Sequence, residues 1–218
     1  MTKEQQITAV KRYTFHKLGE DKSGHGMDHI NRVVKMAKKI AESEGIDTFL
    51  PVVAAYLHDT IDEKLVADVD QAKEELRNYL SENEFNDDDI ATIMDVIANI
   101  SFAHTLDDQK IHLSIVGKIV RDADWLDALG AIGTIRAIYY GGAHHQKIYD
   151  PRMAPRTNMS HDEYRNLDNE TIINHFYEKI LTLADMMQTA TGQKIAAHRQ
   201  EVIKNFLKEF HDEWNAEM

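Results

Sequence analysis

No cysteine occurs anywhere in the 218-residue chain, which excludes disulfide frameworks, thiolate metal sites and cysteine nucleophiles together. Long apolar runs are missing too: the longest, Phe49 to Leu57, falls far short of the roughly 18–20 residues that a bilayer span requires. The opening Met1-Thr2-Lys3-Glu4-Gln5-Gln6 lacks the apolar middle of a secretory signal. Positive charge is scarce. Lys and Arg number 25 against 37 Asp and Glu, and a net charge of −12 repels phosphodiester backbones and anionic lipid. Duplex nucleic acid and membrane partners are therefore not expected, and the chain reads as a soluble cytoplasmic protein. What is present is a 43% apolar complement, enough for a real core, and 12 histidines.

Only three prolines and ten glycines interrupt the chain, and its apolar residues recur at three and four rather than two, which predicts an all-α fold. Neither an internal repeat nor a linker divides it, so one domain over 1–218 is expected. From His29, residues Val33, Ala37, Ile40 and Ala41 form one stripe that Gly45 can stop. Pro51 opens a segment, Val52 to Asp59, that is apolar nearly all round and so buried. Amphipathic helices are expected over Val66 to Leu80 and Asp87 to Ile100, the second started by Asn86. A long apolar segment from Ile111 runs through Asp127 and continues or restarts through Ile138 before Tyr140-Gly141-Gly142. Residues 142–161 form the one long irregular stretch, and the last helices span about Thr171 to Met187 and Gln193 to Trp214.

His58-Asp59 closes an apolar helix, and burying an imidazole beside a carboxylate is costly unless both find partners. Two readings stand open: a hydrogen-bonded structural pair, or two ligands of a cation. His29 begins the preceding helix and Asp124 lies in another apolar one, so three segments can bring two imidazoles and two carboxylates to one point. A sulfur-free nitrogen and oxygen set suits one divalent ion of Mn, Fe, Co, Ni, Mg or Zn. Arg32, three residues after His29, either holds a phosphate beside that ion or is a solvated surface arginine. Asp62, three after Asp59, is an acid or base if the helix runs on, or a surface acid at its end. Lys64 either binds phosphate or is solvated, and Asp127 can accept a hydrogen bond that orients a ligand.

The order His29, then His58-Asp59, then Asp124 resembles the HD superfamily of metal-dependent phosphohydrolases. Gly24-His25-Gly26-Met27-Asp28-His29-Ile30-Asn31-Arg32-Val33, Leu57-His58-Asp59-Thr60-Ile61-Asp62-Glu63-Lys64 and Arg121-Asp122-Ala123-Asp124-Trp125-Leu126-Asp127-Ala128-Leu129-Gly130 look like its three signature stretches. Tyr140-Gly141-Gly142, Ile148-Tyr149-Asp150-Pro151 and His175-Phe176-Tyr177-Glu178-Lys179 through Glu213-Trp214 resemble the small stand-alone bacterial HD-domain hydrolases, so the likeness covers nearly the whole chain. The resemblance implies an all-helical HD fold, one divalent ion held by His29, His58, Asp59 and Asp124, and attack by water on a phosphorus ester or anhydride. Asp124 is chosen over Asp122 because it matches the Ala-Asp-x-Leu pattern. Asp62 falls where some HD nucleotidases place an acidic catalytic residue, one methylene shorter here than a glutamate. Arg32, Lys64 and His25 would neutralise phosphate charge.

The leading expectation is a phosphohydrolase of a nucleoside mono-, di- or triphosphate, including release of pyrophosphate. Two other classes stay open: a dinuclear HD oxygenase or phosphodiesterase, and a non-catalytic nucleotide sensor. The first needs further histidines, and His104 and His112, eight residues apart across Leu106-Asp107-Asp108, do not match a paired second-metal motif. Met186-Met187 and Phe206, Leu207 and Phe210 fit core or dimer contacts, His144-His145 fit an exposed loop or a lid, and apolar helix faces can support a homodimer.

Overall fold

The computed structural model describes residues 1–21, 24–62, 66, 68–105, 112–157, 159 and 170–217. Lys64 and His161, and positions 158 and 160 of the 142–161 stretch, lie outside them. Among the described residues there are nine α-helices, two 3₁₀ segments and no strand, only an isolated parallel bridge between Lys147 and Thr171. The fold is all-α, and no described helix is long and apolar enough to cross a membrane.

Two compact units are recognised, Met1–Asp124 and Trp125–Met218. The first holds α1 (Lys3–Leu18), α2 (Met27–Ser43), α3 (Phe49–Leu57), α4 (Val69–Glu82), α5 (Asp87–Asn99), a 3₁₀ turn at Phe102–Thr105 and most of α6 (Ile115–Asp127). Its centre is α3, which packs on α1, α2 and α5. Every residue of α3 except Leu50 is buried, as its unbroken apolar run requires. Pro51 stands in the first turn, where its missing N–H has no intrahelical acceptor to lose. Around α3 the fully buried Ile30, Ile40, Leu76, Leu80 and Ile93 complete the core. Asp68 caps α4 and Asn86 caps α5, each accepting a backbone N–H three residues on.

The second unit holds α7 (Gly130–Ala143), α8 (Ile172–Glu178), a 3₁₀ segment at Ile180–Met186 and the 26-residue α9 (Ala190–Asn215). α9 packs on α7 and on the 3₁₀ segment. Gly130 has a φ of +74°, a conformation other residues adopt at a cost, and this breaks the apolar segment into α6 and α7 instead of one long helix. Gly141 and Gly142 do not end α7 as expected; they lie inside its last turn. The last predicted helical stretch before α9 likewise divides, at Lys179, into α8 and the 3₁₀ segment.

α1 has no counterpart in the sequence reading. Its inner face includes Gln6 and Thr14, whose polarity blurs the stripe, yet both are satisfied by backbone. Gln6 Nε2 donates to the Asn83 and Glu84 carbonyls (3.3 and 3.0 Å), and Thr14 Oγ1 to that of Tyr56 at 2.9 Å.

Candidate metal centre

The apolar stripe of α2, with Ile30, Val33 and Ala37 completely buried, carries His29 inward, leaving its side chain 1% exposed. α3 stops at Leu57 and the chain turns at once: Thr60 N and Oγ1 both donate to the Leu57 carbonyl (2.9 and 2.8 Å), and Asp62 N donates to that of Asp59 at 3.2 Å. This turn leaves His58 and Asp59 buried at the helix end. α6 supplies Asp124 as the most exposed member of the group, at 27%.

His58 Nδ1 lies 2.8 Å from the Ala55 carbonyl. A carbonyl can only accept, so Nδ1 carries the proton and a neutral His58 turns the lone pair of Nε2 inward. There it meets His29 Nε2 at 3.2 Å. Asp59 Oδ2 is 3.4 Å from His29 Nε2 and 3.3 Å from His58 Nε2, and Asp124 Oδ1 is 3.4 and 3.6 Å from the same two atoms. Asp59 Oδ2 is buried without a hydrogen bond. Ligand atoms about 2.1–2.2 Å from a common ion, at tetrahedral or octahedral angles, stand roughly 3.0–3.6 Å apart. The donor set therefore fits a divalent cation: two facing imidazole nitrogens and an unsatisfied buried carboxylate oxygen are costly together without a positive charge between them. The buried His29–His58–Asp59 group can hold a metal ion.

Electrostatics without the ion point the same way. Burial alone would raise the carboxyl pKa values of Asp59 and Asp124, but the His58 charge and the close approach of both imidazoles hold Asp59, and the close contacts with His29 and His58 hold Asp124, well below the usual range. Burial alone would lower His58, but the Asp59 charge, then the close contacts with Asp124 and Asp59, lift it well above its ordinary value. Protons occupy the place of a cation. A raised histidine stabilises the fold fully below about pH 6.5 and loses that contribution as pH rises through its folded value. Depressed aspartates contribute above about pH 3.9 and lose it as pH falls. Chelator-treated protein is accordingly expected to lose stability as pH rises from 6.5, and a divalent ion to restore it. At a free concentration of 100 times the Kd, the ion should add about 2.7 kcal/mol, or roughly 5–11 °C in Tm, measured by thermal scans from pH 6 to 9.

The other expected site residues fall at different distances from this group. The ring of His25 stands 6.3 Å from that of His29, edge on. Arg32 Nη1 donates to Asp28 Oδ2 at 2.9 Å, an i,i+4 pair on the outer part of α2. Asp62 is half-buried, but α3 does not run on to it, so its bearing is set by the Asp59–Asp62 turn. Asp127 pairs with Arg136 at 3.1 Å. His112 and His144 are exposed. The side chain of His104 lies outside the described residues. The Ala55 carbonyl, which sets the His58 tautomer, has no side-chain signal in the sequence, though its place three residues back in the same helix was a position to inspect.

The HD domain model matches residues 26–129, the span that contains all four ligand candidates. YpgQ of Bacillus subtilis is 31% identical over 209 residues, covering 96% of this chain and 94% of that protein. Its crystal structure in complex with ADP is similar at a TM-score of 0.78, covering 98% of this chain and 97% of that one. A Lactobacillus plantarum protein of solved structure is 42% identical with a TM-score of 0.88, covering 99% and 100%. An HD-superfamily hydrolase from Bacillus thuringiensis is 35% identical with a TM-score of 0.78, again over 99% and 100%.

Proposed function

This chain belongs to the HD domain family, and from that premise we propose that it is a cytoplasmic metal-dependent phosphohydrolase acting on a phosphoester or phosphoanhydride of a nucleotide. The observation that carries this reading is the convergence of His29 Nε2, His58 Nε2, Asp59 Oδ2 and Asp124 Oδ1, with the distances between imidazole nitrogens and from each to the carboxylates spanning 3.2 to 3.6 Å. These four residues would hold one divalent ion, of Mn, Co, Ni, Fe, Mg or Zn, within a single domain of residues 1–218. Such an ion supplies Lewis-acid polarisation of a phosphoryl oxygen and a lowered pKa for water bound to it.

Asp62, three residues after the ligand Asp59, would take or give the proton in this reading, as base toward the attacking water or acid toward the leaving oxygen. Arg32 and His25, beside the ligands on α2 and its approach, would face phosphate charge, and Lys64 joins them in this reading. The Arg32 guanidinium already donates to the carboxylate of Asp28, whose acidity burial opposes but the Arg32 hydrogen bond enhances, so a phosphate would compete with Asp28 for the guanidinium. A nucleotide is favoured as substrate because YpgQ, similar over almost the whole length, has been crystallised with ADP. A positive pocket on a −12 body would concentrate such an anion only at the site.

The test is a screen of ribo- and deoxyribonucleoside mono-, di- and triphosphates with each ion, separating phosphate from pyrophosphate release. Turnover requiring added metal supports the reading, and a metal-loaded protein inert on every nucleotide contradicts it. Asp62→Asn should then lower kcat by about 10²–10⁴-fold while bound metal stays at the wild-type level, checked by turnover and elemental analysis on the same sample.

A further inference from the structure

Charge is spread unevenly along the chain. The first 43 residues carry nine Lys and Arg against five Asp and Glu, a net +4, whereas the remaining 175 carry 16 against 32, a net −16. Within the positive stretch, α2 gathers its bases on one side: Arg32, Lys35 and Lys39 stand at i, i+3 and i+7, a single row along the helix, with Lys38 beside it. Lys35, Lys38 and Lys39 are exposed. The two acids of α2 are each engaged by a base four residues away, Asp28 by Arg32 at 2.9 Å and Glu42 by Lys38 at 3.8 Å. Lys35 and Lys39 form no hydrogen bond or ion pair with any of the described residues, so their charge is uncompensated. The row starts one turn from the ligand candidate His29 and ends about 15 Å from it along the helix axis.

We propose that the row Arg32, Lys35, Lys39 is a guide for polyphosphate anions, drawing them along α2 to the metal centre and favouring a nucleoside triphosphate over a monophosphate. The inference rests on the reading of that centre as a nucleotide phosphohydrolase and names the substrate class it prefers. A chain at −12 repels the anion its site would take, and the repulsion grows with each phosphate, so fast approach needs a locally positive path. The attraction between a fixed charge and an anion scales with the charge of the anion, and a triphosphate carries about twice that of a monophosphate. Removing the two lysines should therefore cost a triphosphate about the square of the factor that it costs a monophosphate. A face that only keeps α2 solvated would cost neither, and contacts that read base or sugar would cost both equally. Lysines about 10–15 Å from the ion act within a Debye length at low ionic strength and are screened at high.

The test is stopped-flow association of N-methylanthraniloyl AMP, ADP and ATP with an excess of manganese-loaded protein, comparing wild type with K35Q/K39Q. Glutamine forms helix about as well as lysine, and both positions are exposed, so the variant keeps its fold. At about 20 mM salt the association rate constant of the triphosphate should fall about tenfold and that of the monophosphate about threefold, and at about 500 mM salt each loss should shrink below about twofold. K194Q/K204Q removes the same charge from exposed positions of α9, which carries no ligand candidate, and should cost less than about twofold for either nucleotide. Equal losses for mono- and triphosphate overturn the proposal, as do losses that ignore salt or that K194Q/K204Q reproduces. Because association is read in milliseconds, before products accumulate, and cleavage over minutes in the same samples, the two readings fail separately. Lysine-dependent association without cleavage of any nucleotide overturns the phosphohydrolase and leaves the guide standing, cleavage with lysine-independent association does the reverse, and no association at all overturns both.

Discussion

Asp59→Ala is expected to abolish binding of the divalent ion and to cost at least about 10³-fold of the phosphohydrolase activity proposed for the chain. The reason is geometric. Asp59 Oδ2 lies 3.3–3.4 Å from both imidazole Nε2 atoms and is the one oxygen of the group that is buried without a hydrogen bond, so its whole coordinating capacity is directed at the shared point. Removing it leaves His29, His58 and the more exposed Asp124 to hold the ion with half the anionic charge. Asp59→Asn keeps the shape and loses the charge, and it should fail nearly as badly. The chelated variant is a useful control. With fewer carboxylates to lift His58, its stability should fall less steeply above pH 6.5 than that of the chelated wild type, as thermal scans will show. Retention of wild-type metal content by Asp59→Ala would contradict the assignment.

Arg156→Ala is expected to cost about 3–5 kcal/mol of stability, because it removes the one guanidinium that two buried carboxylates share. The Arg156 backbone N donates to Glu178 Oε1 at 2.8 Å, and the guanidinium reaches Glu178 Oε2 at 2.9 Å through Nε and 2.6 Å through Nη2, and Glu170 Oε1 at 3.1 Å. Side-chain exposure of Glu170 and Glu178 is only 4% and 0%. His175 and Gln146 satisfy the rest of Glu170 at 2.9 and 2.7 Å. Burial opposes ionisation of Glu170, but the His175 hydrogen bond, with Gln146 and Arg156, still holds its pKa below the usual carboxylate value. That contribution is present above about pH 4.3 and is lost as pH falls through the lower folded value. Urea denaturation should report the loss, and it should shrink when Glu178→Gln is combined with Arg156→Ala, since one stranded charge is gone. A cost under about 1 kcal/mol would place the two carboxylates in water and refute their burial.

How much of this was legible beforehand depends on whether the signal is local. The four ligand candidates were readable because each sits in a short motif on an element with a clear period: His29 on the stripe of α2, His58-Asp59 at the end of the one unbroken apolar run, Asp124 in α6. The bearing of Asp62 was not readable, since it hangs on where α3 ends, and α3 ends at Leu57 in a turn instead of continuing. α1 escaped because Gln6 and Thr14 on its inner face answer to backbone carbonyls of distant segments. The Arg156 cluster escaped for the same reason: its partners stand 14 and 22 residues away in chain positions that carry no pattern.

α7 failed in a more instructive way. Its isoleucines read only as part of an apolar segment, because local periodicity is blind to which face of a helix the neighbours will take. The glycines decide it here, letting α7 approach closely on the Gly133 and Gly141 side and leaving the isoleucines outward.

The most direct measurement is a calorimetric titration of manganese into chelator-treated protein at two pH values, with proton release determined from buffers of different ionisation enthalpy. The account predicts one ion per chain, protons released as the ion displaces them from the imidazole and carboxylate group, and tighter binding at the higher pH. No binding would contradict it, as would two ions per chain, or one ion that binds equally well to Asp59→Ala.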